Sequence, residues 1–367
     1  MAAPEQLEVL LVSLGSTAGL RLADEQLGDA LAAAGARVQL VRAEPPRELR
    51  TMALTDLAWA RAARAVTRRA LRERAGGPPA VIYSSTTAAL LWPLAGAIRF
   101  DAPAAANRPG RHGLWQRPLE RRRLTASPLL LPWSEGALRE CPAAAGENAS
   151  GAAAAASGAP RSALVVPVAV DPSGPRAPQR DLAAVTYAAN PLKKGFDRVL
   201  AAWRRLRADP AGPLRESDEL HVIGSDAGEL ERSGIGIPRE EEGVRLLGVV
   251  PHEHYRALLR RARVFVCAPR REDYGIAQLE ALADGCMLVT TEAPGPYVAL
   301  APARAADPRL VGEDLVAGLR AALGEPLGDY AERTAGEIAP FGTAALARTV
   351  EGELVPRLFA QLAQLGQ

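Results

Sequence analysis

The chain has few cysteines, few aromatic residues and no long apolar run. Aromatic residues make up 4% of its 367 residues, and the three cysteines, Cys141, Cys267 and Cys286, are scattered without a close pair. This spacing excludes a disulfide framework or a zinc knuckle and favours a reducing, cytoplasmic compartment. No apolar run approaches the ~20 residues of a membrane span, and residues 1–6 lack the pattern of a signal peptide, so export is not expected.

An excess of charge of one sign is also missing. The 44 basic and 42 acidic residues leave a formal net charge of +2 at pH 7. This balance provides no field to gather nucleic acid, so no nucleic-acid partner is expected. Hydrophobic residues make up 48% of the chain and charged residues 23%, which is typical of a globular protein with a sizeable core. The length leaves room for two domains of ordinary size.

Lysine is almost absent. Only two of the 44 basic residues are lysines, and they are adjacent, at Lys193 and Lys194. An ammonium is compact and mobile, whereas the guanidinium that stands nearly everywhere else is a planar fork. The pair therefore indicates a position that favours a compact cation. The alternative is that it survived by chance in a composition biased toward arginine.

Strands and helices alternate along the first half. A Gly, Ala, Ser and Pro-rich stretch between Cys141 and Ser162 predicts a surface loop. The alternation predicts a parallel sheet covered on both faces. The predicted strands are Leu7–Leu14, Val38–Val41, Ala80–Tyr83, Leu129–Pro132 and Leu164–Val168, and the predicted helices are Leu22–Ala34 and Leu57–Arg72.

A second alternating series follows a Pro-rich run, Asp171–Gln179, which we interpret as a linker. We expect two doubly wound α/β domains, over residues 1–170 and 180–342, and a C-terminal helix over residues 343–367 that returns to the first domain and is interrupted at Pro356. The predicted strands of this half are Ala183–Tyr187, Leu220–Ile223, Val244–Leu247, Val264–Ala268 and Met287–Thr290, and its helices are Phe196–Arg207, Tyr255–Arg261 and Ile276–Ala283.

The most specific motif is E-D-Y-G-I-A-Q-L-E-A-L-A-D-G at residues 272–285, directly after a buried strand. Glu272 and Gly275 fall in the turn at the carboxyl end of the strand, where doubly wound sheets bind ligands. The following helix offers N–H groups to a phosphate, and Glu280 within it can accept hydrogen bonds from a ribose diol. The alternative is that both glutamates are solvated charges, against which the spacing, the strand and the glycine argue together.

This frame resembles the signature of the retaining GT-B glycosyltransferases of family 4, with Tyr274 where the family usually has Phe. Residues 190–197, N-P-L-K-K-G-F-D, resemble its phosphate-binding loop, and residues 248–255, which begin at Gly248, resemble its turn beside the base. Residues 165–172 resemble the segment that enters its donor domain. The resemblance implies a GT-B fold, in which two Rossmann-like domains face a cleft, with the acceptor side first and the nucleotide-sugar domain second.

The resemblance also implies a function. It implies metal-independent transfer of a sugar, with retention, from a nucleotide-diphospho-sugar to an acceptor hydroxyl, and no further cofactor. Glu272 would face the donor sugar, Glu280 the ribose and Lys194 the diphosphate. Gly275 and Ile276 would supply backbone N–H groups.

Two departures from the family pattern occur. The family usually has an arginine five or six residues before the motif lysine, and Ala189 and Ala188 stand there. The candidates for the missing cation are Lys193, Arg270 and Arg271. The family also often has a histidine opposite the sugar in the first domain; the matching segment offers Asn107, and His112 is a candidate if the loop is shifted.

The first turn, Gly15–Gly19, follows a strand and opens a helix, so its N–H groups are candidates for phosphate binding. Any doubly wound domain needs a tight turn there, which is the alternative. The turn lacks G-x-G-x-x-G, which argues against a dehydrogenase.

No Asp-x-Asp occurs, which argues against a metal-bridged GT-A transferase. No metal site is expected from the histidines, His112, His221, His252 and His254, and the last two are predicted to be exposed turn residues.

Arginines form one face of the predicted helix 57–72, and Arg117–Arg123 adds a second basic cluster. Such a helix can rest weakly on an anionic membrane surface or meet an acidic acceptor, and the alternative is a solvated face.

The sequence is also consistent with two rival functions. One is a nucleotide-sugar epimerase or hydrolase of the same fold, and the other is a non-catalytic scaffold or sugar-nucleotide binding protein.

Overall fold

The computed structural model describes residues 6–46, 49, 51–108, 110–141, 162–175, 177 and 179–365. The chain divides into two units, Met1–Ala169 with Thr343–Gln367, and Val170–Gly342. Each unit contains a five-stranded sheet whose neighbouring strands all run parallel. Two doubly wound α/β domains are thereby confirmed. The loop predicted between Cys141 and Ser162 lies outside the described residues.

The first unit has its strands in the order β2-β1-β3-β4-β5. The strands are β1 (Glu8–Ser13), β2 (Arg37–Arg42), β3 (Ala80–Tyr83), β4 (Ala97–Phe100) and β5 (Leu130–Pro132). The helices are α1 (Ala18–Ala33), α2 (Met52–Glu73), α3 (Thr86–Ala89), α4 (Ala104–Asn107), α5 (Gln116–Ala126) and α6 (Glu135–Arg139), with a 3-10 turn at Gly110–Gly113.

Both faces of β1 are buried because it lies inside a parallel sheet covered by helices. Alternate side chains of a strand point to opposite faces, so β1 contributes to two apolar layers. The first layer includes Val9, Leu11, Leu27 and Leu31 with Leu346 and Leu354 of the C-terminal segment, and the second includes Leu10, Val12, Ala63 and Ala70.

The C-terminal segment consists of α14 (Thr343–Thr349), one π-helical turn (Val350–Leu354) and α15 (Val355–Leu365). Pro356 has no N–H to donate to the carbonyl four residues earlier. The π-helical turn ends two residues before this proline, and the helix continues through Pro356. The predicted interruption is thus a local widening and not a break.

The strands of the first unit differ from the sequence prediction at two places. Residues 164–168 do not form a strand, although Leu164 N donates to Leu130 O (2.9 Å) and Val166 N donates to Pro132 O (2.9 Å). Because Pro132 has no N–H, the return bond of a parallel ladder cannot form there. Strand β4 was not predicted, since it is short and carries Arg99 in its middle.

The second unit has its strands in the order β10-β9-β6-β7-β8. They are β6 (Leu182–Tyr187), β7 (Leu220–Ile223), β8 (Val244–Gly248), β9 (Ala262–Cys267) and β10 (Met287–Thr290). The helices are α7 (Phe196–Arg207), α8 (Ala227–Arg232), α9 (His252–Arg261), α10 (Ile276–Ala283), α11 (Leu300–Ala306), α12 (Leu315–Gly324) and α13 (Tyr330–Ile338), with 3-10 turns at Glu240–Glu242, Pro308–Leu310 and Ala339–Phe341.

The described part of the run predicted as a linker belongs to this second unit. Ser173 N donates to Asp284 Oδ1 (2.8 Å), and its hydroxyl donates to the same carboxylate. Asp284 caps the carboxyl end of α10, so the start of the run is fastened to that helix. Over the described ranges, every helix is too short or too polar to cross a bilayer.

Candidate active site

The β6–α7 and β9–α10 loops carry most of the predicted donor-binding residues. Because β6 and β9 are parallel neighbours, both loops leave the sheet at the same edge. The loops touch directly, since Arg270 N donates to Lys193 O (2.9 Å). Gly195 has a φ of +67°, and a β-carbon there would lie 1.7 Å from the carbonyl oxygen of Ala268. Only glycine permits this close approach of the two loops.

A buried carboxylate meets the second lysine at this edge. Glu272 Oε2 accepts hydrogen bonds from Lys194 Nζ (2.7 Å) and from Gln278 Nε2 (2.9 Å) of α10. The Lys194 side chain is 21% exposed and that of Glu272 is 7% exposed. The ammonium and the carboxylate therefore offset each other's charge in a partly desolvated position, where such a hydrogen bond is strong. Gln278 was not among the predicted residues.

The three other predicted cations lie in the same two loops, and each pairs with an aspartate. Lys193 Nζ lies 3.1 Å from Asp273 Oδ2, and Arg271 Nε lies 2.7 Å from Asp273 Oδ1. Arg270 forms two hydrogen bonds of 2.8 Å with Asp197, which hold the pKa of that carboxyl below its usual value. The structure thus brings the candidates for the missing cation together, close to Lys194.

Helix α10 begins at Ile276, directly after Gly275. Gly275 has a φ of +96°, in the region that favours glycine, and as the N-cap residue it has no side chain with which to cap the first N–H groups of the helix. A β-carbon at Gly275 would lie 3.2 Å from the ring of Tyr297. An uncapped helix start with its dipole directed outward is suited to an anion such as a phosphate.

Glu280 lies in the second turn of α10, and its side chain is only 5% exposed. Its Oε1 atom lies 2.6 Å from His252 Nε2 and 3.7 Å from Arg256 Nη1. The hydrogen bond to Glu280 raises the pKa of His252 above its usual value. His252 and His254 are both exposed, as predicted, but the prediction that they lie in a turn is wrong, because the helix α9 begins at His252. His252 also binds a buried glutamate 28 positions away. No local sequence signal marks this contact.

Gly248 ends β8 with a φ of +63°, and its carbonyl oxygen accepts a hydrogen bond from Gly224 N (2.7 Å) at the end of β7. Val249, which follows it, is 90% exposed. The motif that resembles the turn beside the base therefore lies at the carboxyl edge of the sheet, between β8 and the start of α9.

The predicted residues of the first unit stay predictions. Gly15 has a φ of +57° after β1, and its carbonyl oxygen accepts from Arg21 Nη1 (2.8 Å). Thr17 caps α1 through a hydrogen bond from Leu20 N, so one of the first N–H groups of this helix is already satisfied. Asn107 ends α4, and its backbone oxygen and Oδ1 both accept from Arg108 Nη1. His112 lies in the 3-10 turn Gly110–Gly113.

Comparison with known proteins gives one family match. Residues 181–327 match the sequence model of the family described as glycosyl transferases group 1. The three motifs of the second unit lie within this range. Among curated proteins, no similar sequence was found.

Solved structures show the same fold over nearly the whole chain. Sucrose-phosphate synthase from Thermosynechococcus elongatus is 16% identical, with a TM-score of 0.63, over 97% of this chain and 100% of that one. An α,α-trehalose-phosphate synthase (UDP-forming) from Burkholderia xenovorans, in complex with glucose-6-phosphate, is 14% identical, with a TM-score of 0.64, over 95% and 99%. The E. coli structure described as trehalose-6-phosphate bound with UDP-2-fluoro glucose is 13% identical, with a TM-score of 0.63, over 98% and 99%. The chain therefore has the fold of the GT-B glycosyltransferases, and its residues 181–327 match the group 1 family of glycosyl transferases.

Proposed function

We propose that this protein is a metal-independent glycosyltransferase that moves a sugar from a nucleotide-diphospho-sugar to an acceptor hydroxyl with retention of configuration. One observation carries the proposal: the 2.7 Å contact between Lys194 and buried Glu272 lies beside the uncapped start of α10. A cation suited to a phosphate, a carboxylate suited to sugar hydroxyls and a helix N-terminus lie together in these two loops, which supports the proposal. The group 1 family match over residues 181–327 supports the same activity.

The charges of these loops suit the departure of a diphosphate. As the bond between the anomeric carbon and the phosphate oxygen breaks, the bonding electrons stay with the diphosphate, which gains negative charge. The Lys194 ammonium and the first N–H groups of α10 stabilise this charge more in the transition state than in the ground state. The cation and the helix N-terminus would then stabilise the leaving diphosphate in place of a metal ion.

Glu280 is proposed to bind the ribose of the donor nucleotide. Glu280→Ala removes a carboxylate acceptor, and we expect nucleotide affinity to fall about tenfold, since a hydrogen bond to a charged group contributes ~1.5 kcal/mol or more. Isothermal titration with the nucleoside diphosphate measures the effect. Glu253→Ala, at an exposed glutamate next to His252, is the matched control and should bind like the unaltered protein. Equal affinity in Glu280→Ala would contradict the assignment.

The proposed activity is tested with a panel of UDP-, GDP- and ADP-sugars. UDP-sugars come first, since one structure with this fold contains UDP-2-fluoro glucose. Thermal shift identifies the sugar nucleotide that binds, and release of nucleoside diphosphate from the same sample measures turnover. We expect both binding and turnover. Absence of binding by every member of the panel would contradict the proposal.

A sugar-nucleotide binding protein or scaffold is the second candidate. One observation favours it: the family's arginine is replaced by alanine at Ala188 and Ala189, and the neighbouring cations pair with aspartates. Binding without turnover, with acceptors present, would support this candidate against the first.

We further propose weak contact between α2 and an anionic membrane surface. Arg61, Arg68 and Arg72 are exposed at helical spacing and form no ion pair with any other described residue, and Leu54 is exposed on the same face. Sedimentation with phosphatidylglycerol vesicles should show binding that weakens at least tenfold when the three arginines become glutamine. Phosphatidylcholine vesicles are the control. The proposal is wrong if the anionic vesicles do not bind the protein at low salt.

A further inference from the structure

We propose that His252 positions the Glu280 carboxylate in the nucleotide site and makes the nucleotide affinity of this protein depend on pH. The inference rests on the proposed function, because it takes the ribose of the donor as the ligand of Glu280. It gives a role to His252, whose contact with Glu280 the sequence motifs do not reveal, and it adds a form of control to the site.

The contact between the two side chains is short and specific. His252 Nε2 lies 2.6 Å from Glu280 Oε1, whereas no hydrogen bond to Glu280 Oε2 occurs among the described residues. The imidazole therefore holds one oxygen of the carboxylate and leaves the second oxygen for a hydroxyl. A hydrogen bond of this length between charged partners fixes the orientation of a side chain that would otherwise rotate.

The backbone at the start of α9 fixes the position of His252. It is the first residue of α9, four residues after Gly248, whose φ is positive. One turn later, Tyr255 lies under the imidazole, with the ring centroids 6.2 Å apart, and donates its hydroxyl to Ala277 O (3.2 Å) of α10. Helix α9 is thus tied to α10 beside the contact. The His252 side chain remains 51% exposed, so it exchanges protons with water.

The charges around His252 favour its protonated form. The charged groups that act on it are Glu280 of α10, Asp284 at the end of α10 and Arg256 of α9. Tyr255 packs against its ring, and Tyr187 of β6 packs against Tyr255. Glu280 acts most strongly and raises the pKa of His252, while Arg256 opposes it. Arg256 is itself paired with Asp284, 2.7 Å from its Nε, so its charge is largely offset there.

The charge of His252 has a direct consequence for an anionic ligand. When the imidazole is protonated, it offsets the Glu280 charge that would repel the diphosphate of a sugar nucleotide, and it keeps the carboxylate in place for the ribose. When the imidazole loses its proton, the offset is lost. Because the pKa of His252 is raised, this loss occurs above the pH at which an ordinary histidine titrates. Nucleotide affinity should therefore fall as the pH rises through this titration.

The test uses the intact protein and the sugar nucleotide that stabilises it most among UDP-, GDP- and ADP-glucose. Both phosphates of such a ligand are diesters, so the ligand does not titrate in the range used. We expect titration calorimetry to show about tenfold weaker binding at about pH 8.5 than at about pH 6, the change that corresponds to a pKa shift of one unit upon binding. His252→Gln retains a neutral N–H donor, so its affinity should match that of the unaltered protein at the higher pH and should not increase at the lower pH.

His254→Gln is the matched control, because His254 is exposed on the same helix and forms no hydrogen bond or ion pair with any described residue. It should retain the full pH dependence. A pH response that persists in His252→Gln, or equal affinity of the unaltered protein at both pH values, would overturn the inference while leaving the proposed function intact. Failure of the unaltered protein to bind any of the three ligands would instead overturn the proposed function, and this inference with it.

Discussion

Lys194→Ala should lower turnover of the sugar nucleotide about 100-fold or more, whereas Lys193→Ala should leave turnover near the native rate. Lys194 pairs with Glu272 at the carboxyl edge of the sheet, and its ammonium can follow the diphosphate as charge develops during bond cleavage. Loss of one such charge contact commonly reduces the rate by ~10²-fold. The release of nucleoside diphosphate at saturating donor measures the effect, and titration of the sugar nucleotide shows how much of it arises in binding.

Lys193 provides a matched control next in the chain. Its side chain is 44% exposed, and its partner Asp273 keeps a second cation, Arg271, when Lys193 is removed. Lys194→Ala, in contrast, leaves the buried Glu272 carboxylate with the Gln278 amide as its one side-chain hydrogen-bond donor among the described residues. We therefore also expect this variant to have a lower melting temperature. Near-native turnover in both alanine variants would show that the loop is structural, and it would favour a scaffold or a differently built active site.

Lys194→Arg separates charge from shape. Arginine keeps the positive charge and a donor for Glu272, but its planar guanidinium is less mobile than an ammonium. If a compact cation is required at this position, as the rarity of lysine in the chain indicates, Lys194→Arg should recover only part of the rate. Full recovery would mean that any positive charge suffices there.

The two loops of the candidate site could be predicted closely because a glycine marks the helix start that follows each of them. Helices α7 and α10 have the bounds expected from the sequence, Phe196–Arg207 and Ile276–Ala283. Gly195 and Gly275 precede them directly, and both have the left-handed φ that glycine adopts without strain. The loops that carry the candidate site are therefore set by local sequence, which is why the motif residues could be placed before any contact was known.

The features that could not be predicted depend on partners far away in the chain. Strand β4 was not predicted, because the charged Arg99 in its middle is not typical of a buried strand. Arg99 is nevertheless fully buried, and its guanidinium donates to Ala23 O (3.0 Å) and lies 3.6 Å from Asp24 of α1. His252 likewise acquires its partner Glu280 only when α9 and α10 pack together. Hydrophobic periodicity predicts single helices and strands, so it could not predict these two contacts, each of which joins residues on different elements.

A buried glutamate of the first unit was also missed. Glu120 of α5 is 2% exposed, and its Oε1 atom accepts a hydrogen bond from Ala104 N (2.7 Å). It thereby caps the first turn of α4, which Pro103 does not cap with a side chain. Its Oε2 atom has no hydrogen-bond partner among the described residues. Burial raises the pKa of Glu120 to about 7, because the charged form loses its hydration.

Glu120→Gln should stabilise the protein at about pH 8 and have little effect at about pH 4.5. The pKa of Glu120 is about 7 in the folded chain and 4.5 for an ordinary glutamate, so the folded state binds the proton more tightly, and stability falls as the pH rises from the lower value through the higher one. The full loss is ~3 kcal/mol, because one pKa unit corresponds to ~1.4 kcal/mol. Glutamine resembles the neutral acid and retains an acceptor for Ala104 N, so the variant avoids this loss. Urea unfolding across this pH range measures the free energy of unfolding of both proteins. Glu135→Gln, at an exposed glutamate of α6, is the control. A pH dependence of unfolding that is unchanged in Glu120→Gln would show that Glu120 stays charged in the folded protein.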